Sequence, residues 1–194
     1  MGKQRREARG VMTGKQDTTR IRSTTIVAVR REGHVALAGD GQVTLGDHAI
    51  KHTGRKVLRL MDGKVLAGFA GGAADALSLL DRVENHLRET HGDLERAVMQ
   101  FAKEWRTDRM LRRLEAMLLV ANDRHTFVLS GNGDVLRPDE DVIAIGSGGA
   151  MAHAAALALI RHTELPAETI AREAIGIAGR LCIYTNDQVT VEVL

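Results

Sequence analysis

The hydrophobic period of this chain switches between two and 3.6 in blocks, and the helical blocks come in pairs. In "TTIVAVRREGHVALAGDGQVTLG" the period is two. Ile26 to Val29 and Val35 to Ala38 are predicted strands, turned by Arg31-Glu32-Gly33. "KVLRLMDGKVLAGFAGG" predicts a second hairpin, Val57–Leu60 and Val65–Phe69, with the two-residue turn chemistry of Asp62-Gly63. From Ala73 the period becomes helical, with Leu77, Leu80, Val83 and Leu87 on one face until Gly92. A second helix is capped by Asp93 and buries Leu94, Ala97, Val98, Phe101 and Trp105. Strands return in "AMLLVAND", "TFVLSGNGDVLRP" (turning at Asn132-Gly133) and "DVIAIGSGG". Helices over 150–162 and 167–180 follow, and "CIYTNDQVTVEVL" closes as a strand. Paired helices do not fit a singly alternating, doubly wound parallel sheet. They fit antiparallel sheets covered by helical layers, an α+β fold.

At 194 residues the chain has room for one domain with a full core. Aromatics are only 3%, so Leu, Val, Ile, Ala and Met must fill it. A single cysteine, Cys182, excludes an internal disulfide and fits a reducing compartment, so the expected location is cytoplasmic. No apolar run reaches the roughly 18 residues of a membrane helix. The charge is divided unevenly. Residues 1–23 hold seven Lys/Arg and two Asp/Glu; of 27 basic and 25 acidic residues in all, 20 and 23 remain for the rest, which is net negative. The body is therefore not a basic nucleic-acid binder, and the basicity lies in a detachable tail. That tail lacks the apolar stretch of a secretory signal, and its apolar residues are too few for a good transit helix.

Thr24 opens the first strand at the point where the tail ends. A β-branched residue there is ordinary strand chemistry. The alternative is chemical. If the chain were cut between Ser23 and Thr24, the new α-amine would sit on the hydroxyl's own residue. With a reference pKa of about 7.7–8.0 it would serve as the base that a threonine nucleophile needs. The tail would mask that base as an amide. Asp40, between two glycines, reads as a polar turn or as the partner of a buried Lys56, whose charge would lower the pKa of a neighbouring amine.

"AGFAGGAAD" runs from strand through glycines into helix, a bend or a place where the Gly68 N–H meets an oxyanion. "AIGSGGAM" has the same shape, but lacks a P-loop lysine, and Met151 stands where a dinucleotide motif has its third glycine. His48 and His52 are at helical spacing, with no HExxH, so no catalytic zinc is expected. "WRTDRMLRRLE" reads as a solvated helix face or subunit contact rather than an RNA-binding element.

Taken together, "TTIVAVRREGHVALAGDGQVTLG", "GRKVLRL", "VLAGFAGGAADALSL", "KEWRTDRMLRRLEAMLLVA", "SGNGDVL", "AIGSGGAMAHAAALAL" and "CIYTN" resemble the peptidase subunits of bacterial HslUV (ClpYQ) ATP-dependent proteases over all of residues 24–194. The resemblance implies an N-terminal-nucleophile αββα sandwich, as in proteasome β-subunits, and a mature threonine endopeptidase of residues 24–194. It places the nucleophile at Thr24, tuning residues at Asp40 and Lys56, an oxyanion donor at Gly68 and a supporting hydroxyl at Ser147. It also implies a sodium ion held by main-chain oxygens at Gly179, Cys182 and Thr185. Two stacked hexameric rings and a hexameric AAA+ ATPase, HslU (ClpY), that feeds unfolded substrates are implied in the same way. Residues 1–23 exceed the family's short leader, and read either as a propeptide or as sequence before a start at Met12. Other readings are a noncatalytic ring scaffold and a small-molecule amidohydrolase of the same fold.

Overall fold

Alternate residues of β2 (Thr25–Arg31) are drawn to opposite sides, and this sets the layering. Val27 and Val29 face one hydrophobic cluster, and Ile26 and Ala28 face another. The computed structural model describes residues 21–22, 24–111, 114, 116–131 and 133–194, with backbone only for Ile21, Arg22, Ala73 and Ala74. One antiparallel sheet has the order β11-β2-β3-β12, with β3 at His34–Gly39, β11 at Val142–Gly146 and β12 at Thr190–Val193. The other has the order β10-β9-β8-β7-β6: Val135–Leu136, Thr126–Leu129, Ala116–Ala121, Val65–Gly71 and Val57–Leu60.

The two sheets meet through Ile26, Ala28, Val35 and Leu37 on one side and Val57, Leu66, Leu119 and Ala121 on the other. The outer face of the second sheet (Ala67, Phe69, Leu118, Val120) is covered by α1 (Ala73–Glu89) and α2 (Leu94–Thr107). The outer face of the first is covered by α3 (Gly149–His162) and α4 (Ala167–Leu181). The result is a four-layer αββα sandwich: the paired helices predicted antiparallel sheets under helical layers, and the four-layer order is the one the family resemblance implies.

Local expectations hold with the following corrections, and the closing strand is confined to Thr190–Val193. The first hairpin turns on Glu32-Gly33 alone, both at positive φ, and Arg31 still pairs with His34. The second does not use a two-residue turn. Met61, Asp62 and Gly63 all have positive φ, and the connection spans Met61 to Lys64 between the paired Leu60 and Val65. In α1 the buried stripe is Ala76, Leu79, Leu80, Val83 and Leu87, while Leu77 is 52% exposed. His48 and His52 are not helical neighbours: His48 begins β5 (His48–Lys51), which pairs with β4 (Val43–Leu45) across Gly46-Asp47. The Asp93 cap is as expected, its side chain accepting from the Arg96 N–H at 3.1 Å. α2 stops at Thr107, and Trp105 donates its indole N–H to the Leu111 carbonyl. Arg112, Arg113, Glu115 and Asn132 lie outside the described residues, as do residues 1–20 and Ser23. Among the described residues no helix is long and apolar enough to cross a membrane.

Edge strands β6 and β12 are tied across the two sheets by one carboxylate. Glu192 accepts from Arg59 at 2.6 Å and from Arg55 at 2.8 Å. These bonds, Arg59 first, hold its pKa below the ordinary 4.5. A carboxylate with a depressed folded-state pKa adds stability above its unfolded pKa, and that stability is lost as pH falls through the folded value. Glu192→Gln is therefore expected to lose less melting temperature than the parent between about pH 5 and pH 3. Parallel losses in the two proteins would show that the clamp contributes nothing.

Candidate active site

Four buried polar residues collect where β2 begins, β3 ends and β6 begins: Thr24, Thr25, Asp40 and Lys56, none more than 4% exposed. Buried polar groups at this density need partners, and Asp40 is the hub. Its Oδ1 accepts from the Thr25 N–H at 2.7 Å and from the Lys56 ammonium at 3.0 Å. Its Oδ2 accepts from the Gln42 N–H at 2.9 Å and from the Asn186 N–H at 3.5 Å. Lys56 also donates to the Gln42 carbonyl at 2.5 Å. Burial pushes the Lys56 pKa down, against the opposing pull of Asp40. The geometry thus joins a desolvated cation to the Thr24-Thr25 segment through a single carboxylate oxygen.

The carbonyl of Thr24 is held from the other side. It accepts from the Ser147 N–H at 3.0 Å. Gly146 has φ +93°, and a Cβ there would overlap that same oxygen, so glycine is required for the approach. Next in the turn, the Gly148 N–H donates to Thr25 Oγ1 at 2.9 Å, and Thr25 Oγ1 shares a 2.7 Å hydrogen bond with Thr185 Oγ1. A side chain at Gly148 would fall 2.5 and 2.7 Å from those two hydroxyls. The strand–glycine–helix shape of "AIGSGGAM" therefore grips the start of β2 with its N–H groups.

Of the sequence-derived residues, Thr24, Asp40, Lys56 and Ser147 come together. Ser147 does so through its backbone N–H, and the residue is exposed. Gly68 lies in β7 opposite Val57 and Leu119, and a Cβ there would sit 2.7 Å from Ile26 Cγ2, so the two sheets close on a bare backbone. Gly179 is in the last turn of α4, where carbonyls lack helical partners. A Cβ on it would lie 3.0 Å from the Asn186 backbone, so the chain after α4 folds back against it. The Cys182 carbonyl accepts from the Thr185 N–H at 3.1 Å and keeps a second lone pair. Neutral carbonyl oxygens are the ligand type that a hard cation takes. Among the described residues no group of three or more His, Cys, Asp or Glu converges.

Sequence reasoning gave no role to Thr25, Gln42 or Asn186. The Thr-Thr pair was a signal for the first. The others act through backbone groups and amides that no motif marks.

The protein-family model described as "Proteasome subunit" matches residues 21–194. A protein of Treponema denticola called "ATP-dependent protease subunit HslV" is 53% identical over 173 residues, covering 89% of this chain and 97% of the relative. The crystal structure of eukaryotic HslV from Trypanosoma brucei is 47% identical, with a TM-score of 0.83 over 88% of this chain and 98% of that one. A structure titled "Thiobacillus denitrificans BPH in complex with Epoxomicin" matches at 22% identity and a TM-score of 0.67, covering 88% and 97%, a likeness of fold. A buried Lys–Asp pair under a threonine that opens a strand of an αββα sandwich, with the family model spanning 174 of 194 residues, leads to one assignment: the chain belongs to the proteasome subunit family.

Proposed function

We propose that this chain is the proteolytic subunit of a two-component ATP-dependent protease, an endopeptidase whose nucleophile is the hydroxyl of Thr24 after the chain is cut between Ser23 and Thr24. The observation that carries it is the bridge from Lys56 through Asp40 Oδ1 to the Thr25 N–H, buried beside Thr24. In the uncut chain the Thr24 nitrogen is an amide and cannot take a proton. The first turnover is an attack by Thr24 Oγ on the Ser23 carbonyl. The hydroxyl proton is delivered to the Thr24 nitrogen as the C–N bond breaks, so that nitrogen leaves as the free amine, and water hydrolyses the ester. In later turnovers that amine takes the hydroxyl proton as Oγ attacks the scissile carbonyl. The proton passes to the departing amine of the substrate. The acyl group stays on Oγ as an ester until water, deprotonated by the same amine, releases it and restores the hydroxyl. Lys56 keeps the amine neutral by its charge, and Asp40 holds Lys56 in place. The oxyanion is assigned to the Gly68 N–H, and the supporting hydroxyl to Ser147, by resemblance alone.

β1 (Ile21–Arg22) supports a substrate path. It runs antiparallel to β4, with Ile21 opposite Leu45 and Arg22 opposite Thr44. The chain on the acyl side of the Ser23–Thr24 bond is thus bound as an added strand. Once the leader departs, the β4 edge takes the acyl side of substrates by main-chain hydrogen bonds, a mode tolerant of sequence.

Sodium is assigned to the carbonyl oxygens of Gly179, Cys182 and Thr185. The chemistry it would supply there is structural, an offset to the partial negative charge at the end of α4; Cys182 and Thr185, which would hold it, lie on the 182–186 loop that touches Thr25 and Asp40. The working assembly is two stacked hexameric rings in the cytoplasm, with the active sites enclosed, and HslU (ClpY) as the ATPase. Enclosure keeps a sequence-tolerant peptidase from folded proteins. Opening a stable domain opposes roughly 5–15 kcal/mol, work assigned to the partner ATPase because this sequence carries no P-loop. Rings alone are expected to cleave small peptides slowly. Adding the ATPase with a nonhydrolysable ATP analogue is expected to raise peptide cleavage, and degradation of a folded substrate is expected only with hydrolysable ATP. Complete digestion of a stably folded protein by this chain alone would sink the two-component reading.

A further inference from the structure

We propose that Asn186 is a positioning residue for this hydrolysis: its side-chain amide clasps the turn that carries Asp40 to the chain leaving the β4–β5 hairpin. The inference rests on the reading of Thr24 as nucleophile. Asn186 Oδ1 accepts from the Gly41 N–H at 3.0 Å and from the Gln188 N–H at 3.2 Å. Its Nδ2 donates to the His52 carbonyl at 3.0 Å. Its own backbone N–H points to Asp40 Oδ2 at 3.5 Å. One residue thus joins the end of β3, the end of β5 and the loop after α4. The contact is close: a Cβ on Gly41 would overlap the His52 carbonyl, and the Gly54 N–H donates to the Gly41 carbonyl at 2.7 Å.

Asparagine is required by the mixed partners. One side of the group must accept two N–H bonds and the other must donate to a carbonyl. Aspartate would set oxygen against oxygen at His52. The external hold matters because the Gln42 N–H, which also binds Asp40, belongs to the same turn and moves with it. If the turn drifts, Asp40 no longer holds Lys56 beside Thr24. Displacements of about 1 Å in such a site cost up to about 100-fold in rate. None of these bonds involves β4, the proposed substrate edge, so the loss falls on kcat rather than KM.

The test is steady-state hydrolysis of a fluorogenic peptide by the full chain, parent and variants, with mass-spectrometric labelling by a peptide epoxyketone, which needs a free amine and hydroxyl on one residue. The parent must hydrolyse the peptide and be labelled at Thr24; otherwise the nucleophile reading fails, and this inference falls with it. Given an active parent, Asn186→Ala and Asn186→Asp are expected to lower kcat about tenfold or more with KM within about twofold. Gln188→Ala, on the same loop, is expected to retain the parent rate. Unchanged kcat in both Asn186 variants, a change confined to KM, or an equal loss in Gln188→Ala would overturn the proposal. If the alanine variant does not fold, the near-isosteric aspartate variant decides; if neither folds, Asn186 serves folding and the proposal is wrong.

Discussion

Thr24→Ala is expected to remove peptide hydrolysis, by roughly 10⁴-fold or more, or at least about 5 kcal/mol of transition-state stabilisation, while leaving the fold in place. The argument separates what the side chain does from what the backbone does. The Thr24 carbonyl is held by the Ser147 N–H and pressed by Gly146, and the following residue is fixed to Asp40 through its N–H. Alanine keeps all of these. It deletes only the hydroxyl that is to form the ester and a methyl group, from a strand start that β2–β11 pairing already fixes. Thr24→Ser is expected to retain measurable activity, because a hydroxyl and, after cleavage, an amine remain on one residue. Intact mass gives the second readout. The parent is expected to begin at Thr24 and Thr24→Ala to keep the residues before it, since the same hydroxyl is proposed to cut the leader. Undiminished peptide cleavage by Thr24→Ala, or an active parent that still carries Ser23, would sink the assignment.

How far such a site is legible in a sequence depends on where its information is stored. The layers were readable because each depends on local periodicity. Val27 and Val29 against Ile26 and Ala28 already separate an outer face from an inner one, and Leu94, Ala97, Val98, Phe101 and Trp105 mark a buried stripe. The small strands around the site were not readable as such. β4 and β5 are three and four residues long, and β5 is exposed throughout, so the alternation that marks a half-buried strand is weak there. Leu77 was misplaced because Ala76 and Leu79 supply the stripe, and an alanine is a weak signal in a hydrophobic pattern. Asp40 and Lys56 were singled out as residue types, but their pairing is long-range and became specific only through family resemblance. Asn186 is 146 residues from Asp40, and a backbone contact at that separation leaves no periodic trace.

Lys56→Ala is expected to lower peptide turnover by on the order of 10²-fold or more and also to destabilise the fold by a few kcal/mol. Both effects come from one arrangement. Lys56 is 4% exposed, bonded to Asp40 and to the Gln42 carbonyl, and its burial pushes its pKa below the ordinary 10.5. Removing the cation leaves Asp40 buried with its N–H donors but without its ion-pair partner, which is the costly way to break such a pair. It also removes the charge that favours a neutral Thr24 amine, so the rising limb of the pH–rate profile is expected to move to higher pH. A combined Lys56→Met and Asp40→Asn variant tells the two effects apart. With neither charge buried, stability is expected to recover, yet turnover is expected to stay low because nothing tunes the amine. The stability profile gives an independent sign. Because the folded-state pKa of Lys56 lies below its unfolded value, the unfolded chain binds more protons between the two, and this lysine makes stability rise with pH across that window. The rise is expected to be missing when Lys56 is replaced by methionine. Normal turnover by Lys56→Ala, or recovery of turnover together with stability in the combined variant, would make the lysine a packing residue rather than part of the chemistry.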